Sequence, residues 1–589
     1  MQITRIHVGS KEQAAAEIIG AKAANLARVA SLGLPVPPAF VLPIELCAAI
    51  VDGDSQARQQ LASGLAEGIE FLEETTGRRL GDRRRPLLVS VRSGAARSMP
   101  GMLDTVLNVG CTPDAVHGLI RCTGNPRFAF DCRRRFLESY GNLVLGISVG
   151  AFKAELEGLL TAENCTTEYG VDCEALERLV ACYRRAIEEE SRATTETPAE
   201  QLQSAAEAVY RSWMSERAVA YRRLQRLDDM VGTAVMVQAM VFGNKGRCSG
   251  AGVAFSRDPS SGADIPVVEV IFGSQGEDVV SGKQTPEDED AIIRSFPLAA
   301  KELRAALARL EQSFGDVQDV EFTIEDGKLW ILQTRTAKRT PQAAVRFVID
   351  FVKTGRISPA EALTRLSGID LERLANKCLT GLGPPVGRGT GASSGVAVGR
   401  AVFDPATAAR LAENGDPIIL LRPDTNTADI AGFAASSGIV TARGGRTAHA
   451  ALVARQLDKP CVVGCAELSV DVTVHCARLA EATIKEGEWV SIDGNAGTIY
   501  LGRGQVVLNR PEAELAEIER WRRQIAADAV VQQFAANNHT KAAAAPRIFK
   551  APASRLCPTR RSARSAMSNY SRLARFQPRQ HAKCSGQTS

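Results

Sequence analysis

The sequence predicts an α+β, multidomain chain, and three observations support that class. Across residues 1–340, short β-like runs such as LLVSVRSG and AVMVQAMVFG alternate with long helical stretches, Cys173 to Glu190 and Glu200 to Arg226. A Gly/Pro-rich break, LTGLGPPVGRGTGASSG, then precedes a second unit, 384–510, where β signals (VAVGRAVF, PIILL, SGIVTA, EWVSID, GTIYLG) again alternate with helical segments. Beyond residue 540 the composition turns to Ala, Arg, Ser and Pro without periodicity, which predicts a disordered tail over 541–589. At 589 residues, three or four domains of ordinary size fit.

From the N-terminus, MQITRIHVGSKEQ lacks the apolar segment of a signal peptide, and no run of about 18 apolar residues exists. A cytoplasmic protein is the expectation. GAKAANLARV places Lys22 between a glycine turn and a helix start, where on its own an exposed structural lysine is the commoner reading. LLVSVRSGAARSMPGMLDTVLNVG is more specific: a buried-looking strand delivers Arg92 into a loop of small residues. Such a loop lets backbone N–H groups approach phosphate oxygens, and arginine matches them with paired donors. GSQGEDVVSG offers Glu277 as an acceptor for a ribose hydroxyl.

VQDVEFTIEDGKLWILQTRTAKRT reads as a hairpin turning at Asp326-Gly327. Asp319 and Glu321, two apart, share one face of the first strand, and Gln333 and Arg335 share one face of the second. A two-residue turn sets the acids opposite Leu332; a three-residue turn, Glu325 to Gly327, sets them alongside Ile331, Gln333 and Arg335. We expect the three-residue turn, with Val320, Phe322, Ile324, Trp330 and Leu332 on the core face. Paired carboxylates on a strand are ligands of the kind Mg²⁺ uses when it also binds nucleotide phosphates.

Residues 341–383 show helical spacing in AAVRFVIDFVKTG and SPAEALTRL and read as a connector. Within 384–510, GGRTAHAALVARQLDKPCVVGC holds one of only six histidines in the chain. Gly444-Gly445 breaks the chain, Thr447 is an acceptable N-cap, and the residues from Ala448 onward form a helix, so His449 is expected at a helix N-terminus. That end disfavours a protonated imidazole but stabilises a phosphoryl group carried on a neutral one. The pattern therefore suggests a phosphohistidine carrier rather than a core or exposed histidine. Residues 511–540 read as a charged, amphipathic helical linker.

Charge and cysteine usage exclude other classes. From Lys541 onward there are eleven Lys or Arg and no acid; 71 less 11 leaves 60 basic against 67 acidic residues, about −7 for the remainder. The basic excess belongs to the tail, so nucleic acid is not the expected partner. Fourteen cysteines without a C-x-x-C pair read as reduced thiols rather than a zinc site.

GGRTAHAALVARQLDKPCVVGC resembles the phosphohistidine motif of the PEP-utilising enzymes, most closely the pyruvate, orthophosphate dikinases, and SVRSGAARSMPGMLDTVLNVG is similar to their own arginine loop. The resemblance runs from Lys22 to Gly502. It implies an ATP-grasp nucleotide domain over 1–340, the helical connector, and a swivelling β/β/α phosphohistidine domain. By position it implies that Lys22, Arg92 and Arg335 hold ATP phosphates, with Arg135 in GNPRFAFDCRRRF a further contact. Glu277 would meet the ribose, Asp319 and Glu321 would hold Mg²⁺, and Gln333 would assist at the phosphates. His449 would be the carrier, taking a pyrophosphoryl group from ATP and passing its terminal phosphoryl to orthophosphate. Thr447 matches a threonine that is phosphorylated in plant members; here it reads as an N-cap.

In the family the remaining phosphoryl goes to pyruvate on a (β/α)₈ barrel of about 250 residues. Only 79 residues follow Arg510, too few for one. The expectation is therefore the ATP and orthophosphate half-reaction, with a separate PEP/pyruvate-binding chain required for phosphoenolpyruvate. A silent nucleotide-binding remnant, or transfer to a different acceptor, are the alternatives.

Overall fold

The computed structural model describes residues 2–543, except 98, 100–101, 166, 192–196, 282–283, 285, 373, 375, 425–429 and 447. The expected tail from 544 onward and Thr447 lie outside the described residues. Residues 1–525 form one compact unit, and a second begins at Ala526.

Two antiparallel sheets organise the N-terminal part. The first runs in the order Thr4–Ile6, Ala39–Leu42, Thr233–Ala239, Val89–Ala95, Thr105–Val109. The strands Ala39–Leu42 and Thr233–Ala239 are buried on both faces, which is why they read as near-continuous apolar runs rather than alternating ones. One face packs on a helical lobe through Val89, Val91, Val235 and Val237. The other, through Val41 and Met236, packs on the helices Ala16–Ser31 and Pro297–Phe314 and on Val320, Phe322 and Ile324 of the second sheet. That second sheet runs Lys328–Thr336, Gln318–Glu325, Gly250–Phe255, Val267–Phe272.

The segment expected as a helical connector does more than connect. Its helices Pro341–Lys353 and Pro359–Arg365 cover the far face of the second sheet, where Phe347 and Phe351 bury against Val253 and Phe255. Ile518 and Trp521, from the helix Glu512–Ala543, complete that core. The connector then ends in a strand, Asn376–Thr380, paired antiparallel with Gln505–Asn509. Entry to and exit from the next domain thus run through one two-stranded ribbon.

The next domain is built on an eight-stranded mixed sheet. Four of its strands, Val396–Val402, Ile418–Arg422, Gly438–Thr441 and Cys461–Val463, are parallel neighbours. Helices Pro405–Glu413, Ile430–Ala435 and His449–Gln456 make the crossovers between them. His449 opens the helix that follows the C-terminal end of Gly438–Thr441, the end of a parallel strand where α/β sheets place their ligands. Among the described residues no helix is long and apolar enough to cross a membrane.

Candidate functional site

Lys22 owes its position to a glycine contact. Gly20 breaks the helix Ala16–Ser31 at φ 79°, and a Cβ there would lie 2.0 Å from the carbonyl oxygen of Gly94. No other residue fits both the conformation and that approach, so Lys22 starts the straight part of the helix directly beside the Val89–Ala95 strand. Asn25, one turn on, donates to the Thr334 carbonyl at 3.0 Å and ties the helix to the hairpin.

The hairpin reaches its register by a route the sequence expectation did not take. Glu325 pairs with Lys328, so the turn is the two-residue Asp326-Gly327, with φ of 50° and 78°. Both left-handed values match the turn type that suits the twist of a hairpin. A β-bulge at Leu332 then shifts the pairing, setting Glu321 opposite Gln333 and Asp319 opposite Arg335. The four polar residues share a face, but through the bulge and not a three-residue loop. The core face is corrected accordingly: Leu329 and Ile331, not Trp330 and Leu332, join Val320, Phe322 and Ile324.

Charges converge where hairpin, strand and helix meet. Arg92 donates from Nη1 to Gln238 Oε1 at 3.3 Å and brings Nη2 to 3.6 Å from Glu321 Oε2. Its Nε, and the hydroxyl of Ser93, are buried without a hydrogen-bond partner. Arg335 donates from Nε to Asp319 Oδ2 at 2.8 Å, while Asp319 Oδ1 is buried and unpartnered. Burial raises the Asp319 carboxyl above its ordinary value even though Arg335 opposes it. Burial, with Arg92 and Arg335 adding and Glu321 opposing, lowers the Lys22 ammonium to about 8. Lys22, Asn25, Ser93, Gln333 and Arg335 line one cavity, whose apolar wall is Met99 and Leu103. A cavity lined by both basic groups and apolar side chains suits a phosphorylated ligand with a flat base.

Arg135 is not part of this convergence. Its Nε donates to Asp131 Oδ2 at 3.0 Å, and its two amino groups hold Asp278 at 3.0 and 2.8 Å. Through these bonds Arg135 clamps the helices Pro126–Leu143 and Gly276–Ser281 together. Glu277 belongs to the latter helix, but its side chain lies outside the described residues.

The histidine helix is docked against the second sheet. Arg446 N donates to Glu269 Oε1, and Gly445 lies so close that a Cβ would come within 2.3 Å of Pro286 Cγ and 2.6 Å of Glu269 Oε1. Ser260 Oγ donates to the Ala392 carbonyl at 3.2 Å, and Ser394 Oγ to the Ser260 carbonyl at 2.5 Å. The N-cap is Ala448, not Thr447, and offers no side-chain acceptor to the first turn, which keeps that helix end suited to an anion. The His449 side chain lies outside the described residues. Sequence reasoning missed Asn25 and Glu269: each makes its contact across a long separation in the chain, and a local pattern carries no signal for that.

Two family models match this chain. "Pyruvate phosphate dikinase, AMP/ATP-binding domain" matches residues 54–295 and 289–355, just over half of the chain, and "PEP-utilising enzyme, mobile domain" matches 414–497. The chain belongs to the pyruvate, phosphate dikinase family. It is 40% identical over 493 residues to a pyruvate, phosphate dikinase of Clostridium symbiosum, covering 82% of this chain and 56% of that one. A chloroplastic dikinase of Mesembryanthemum crystallinum is 40% identical over 491 residues (82% and 52%), and one of Giardia intestinalis 40% over 513 (86% and 58%). The chain thus spans about half the length of the curated dikinases it matches. The first dikinase model covers both the Arg92 strand and the hairpin, and the mobile-domain model covers His449.

Proposed function

We propose that this chain carries the donor half of a dikinase-type phosphotransferase, in which ATP and orthophosphate phosphorylate His449 with release of AMP and pyrophosphate. One observation supports this above the rest: the helix that His449 opens is docked on the same sheet that gathers Arg335, Asp319 and Glu321.

Lys22, Arg92 and Arg335 bind the phosphates of ATP, and Gln333 assists them; Met99 and Leu103 give the base an apolar wall. Asp319 and Glu321 fit Mg²⁺: both are hard oxygen donors, and the orphaned Oδ1 of Asp319 is a buried acceptor that lacks a donor. When bound, the ion supplies charge neutralisation at the phosphate oxygens. The imidazole nitrogen of His449 attacks the β-phosphorus, and AMP leaves with the bridging oxygen and its electron pair. An orthophosphate oxygen then attacks the terminal phosphorus of pyrophosphoryl-His449 and departs as pyrophosphate, leaving phosphohistidine. The chain's work is placement in line and exclusion of water. Transfer on to pyruvate, giving phosphoenolpyruvate, is assigned to a PEP/pyruvate-binding domain outside the described residues or on a separate chain.

Purified protein incubated with Mg²⁺ and β-³²P-ATP, with and without orthophosphate, tests this. Acid-labile, base-stable label is expected on the wild type and not on His449→Ala. Folded protein that binds ATP without taking label would instead be a nucleotide-binding remnant.

A further inference from the structure

The histidine helix brings a second group into the docked interface. Arg455 is 6% exposed, and its Nε donates to the Ala451 carbonyl at 3.2 Å. Its Nη1 and Nη2 are buried with no hydrogen-bond partner, so four N–H donors of one guanidinium are unused. The guanidinium carbon lies 5.6 Å from the centroid of the Phe255 ring. Phe255 is the cross-strand partner of Asp319, and Asp319 in turn faces Arg335. Arg455 therefore stands over the metal-binding end of the hairpin, although it belongs to the other domain.

The charges around it leave both amino groups without a hydrogen-bond partner among the described residues. Burial lowers the Arg455 guanidinium from its ordinary value; Glu269 and Asp319 oppose that shift, and Arg446 adds to it. Lys338, just beyond Arg335, is lowered by burial, with Arg335 and Arg455 adding and Asp319 opposing. Arg455, Lys338 and Arg335 all bear on the buried carboxylate of Asp319, whose Oδ2 is already bound by Arg335, and Arg455 also feels the buried carboxylate of Glu269. Burying a guanidinium with both amino groups unpaired is costly. A purely structural arginine in this protein avoids that cost, as Arg135 does by giving three donors to two aspartates.

We propose that Arg455 is a phosphate-binding residue of the donor reaction, carried into the nucleotide site by the mobile domain and engaged only while that domain is docked. The planar fork of a guanidinium binds two oxygens of a phosphoryl group together, in the way one ammonium cannot. Because Arg455 and His449 share one helix, docking delivers the nucleophile and this donor at the same moment. The nucleotide site is then complete only when the acceptor histidine is present, which disfavours transfer to water from the undocked state. This inference rests on the donor reading above.

The test is rapid-quench, single-turnover labelling of the full chain with β-³²P-ATP, Mg²⁺ and orthophosphate, with ATP affinity by equilibrium dialysis and thermal melting alongside. Arg455→Met keeps the apolar stem, and its labelling should slow by about 100-fold with ATP affinity changed less than about threefold. Arg455→Lys should slow by about tenfold. Arg455→Ala should slow like Met and regain at least about tenfold when guanidinium is added, which a lost packing contact would not do. Wild-type rates in the Met or Lys variant, or no recovery of the folded Ala variant with guanidinium, overturn the assignment while leaving the donor reading intact. Absence of label on the wild type sinks both.

Discussion

Two sets of arginines within residues 1–525 differ in how fully their donors are used. In the helix Pro126–Leu143, Arg134 binds Asp131 and Glu138, and Arg135 binds Asp131 and Asp278. Around the hairpin and the histidine helix, Arg92 keeps an unpaired Nε, Arg455 two unpaired amino groups, and Ser93 and Asp319 an orphaned oxygen each. The first group is closed: its polar atoms have satisfied one another, and Asp131 is held well below the usual carboxylate range, with Arg135 and Arg134 outweighing its burial. The second is open, and desolvation without protein partners has a cost that a bound anion or ordered water offsets. Satisfied arginines hold helices together; unsatisfied ones mark where an anion belongs.

The sharpest way to break that contrast is to remove one arginine from each group. Arg92→Met should lower the single-turnover labelling rate by about 10³-fold, roughly 4 kcal/mol of transition-state stabilisation, because its buried Nε has no partner in the protein. Its denaturation midpoint should scarcely move. Arg135→Met should do the reverse, costing about 3 kcal/mol in urea unfolding because Asp278 and Asp131 are left buried with a partner missing. Its labelling rate per folded molecule should fall less than about tenfold. A stable Arg135→Met protein that labels as poorly as Arg92→Met would restore Arg135 to the phosphate site and end the contrast.

A smaller effect sharpens the same point through docking. The Cβ of Gly445→Ala would come within 2.3 Å of the Pro286 ring on the partner domain, which cannot swing aside, and would push on the Glu269 carboxylate that accepts from the Arg446 N–H. Labelling should slow by about tenfold, since the histidine helix and Arg455 must reach the site together, while ATP affinity stays within about twofold. An equal loss of ATP binding would mean that the glycine shapes the nucleotide domain itself.

How much of this was legible in the sequence follows the same division. Groups close together in the chain were readable: the Gly20 turn before Lys22, the Arg92 strand, and the two-apart spacing of Asp319 with Glu321 and of Gln333 with Arg335. The bulge was not. Leu329, Trp330, Ile331 and Leu332 are four successive apolar residues, so no alternation shows which of them is extra. Arg133 to Arg135 presented three equal candidates, and only the partner Asp278, 143 residues away, decides which one it claims. Arg455 looked like an ordinary cation in the last turn of a helix, a favourable place on dipole grounds. Its burial comes from a face that another domain covers, which helical spacing cannot reveal. The packing of the 341–383 connector was hidden for the same reason: its helical spacing was visible, but not the sheet on which Phe347 and Phe351 bury.

The smallest predicted effect concerns the proton on Lys22. Its ordinary value is 10.5 and its folded value about 8, so the folded protein without ligand sheds this proton more readily than the unfolded chain does. The sign follows from proton counts: between pH 8 and 10.5 the unfolded state binds more protons, so this group's contribution to stability rises with pH across that window. ATP reverses the local balance, because phosphate oxygens favour the ammonium that burial, Arg92 and Arg335 disfavour. Binding ATP at pH 8 should therefore take up about half a proton more in wild-type protein than in Lys22→Met, and the difference should vanish near pH 6.5, where Lys22 is already charged. Calorimetry in two buffers of different ionisation enthalpy reads the difference directly. An equal proton count for the two proteins at pH 8 would place Lys22 away from the phosphates and leave Arg92 and Arg335 as the open cations of the site.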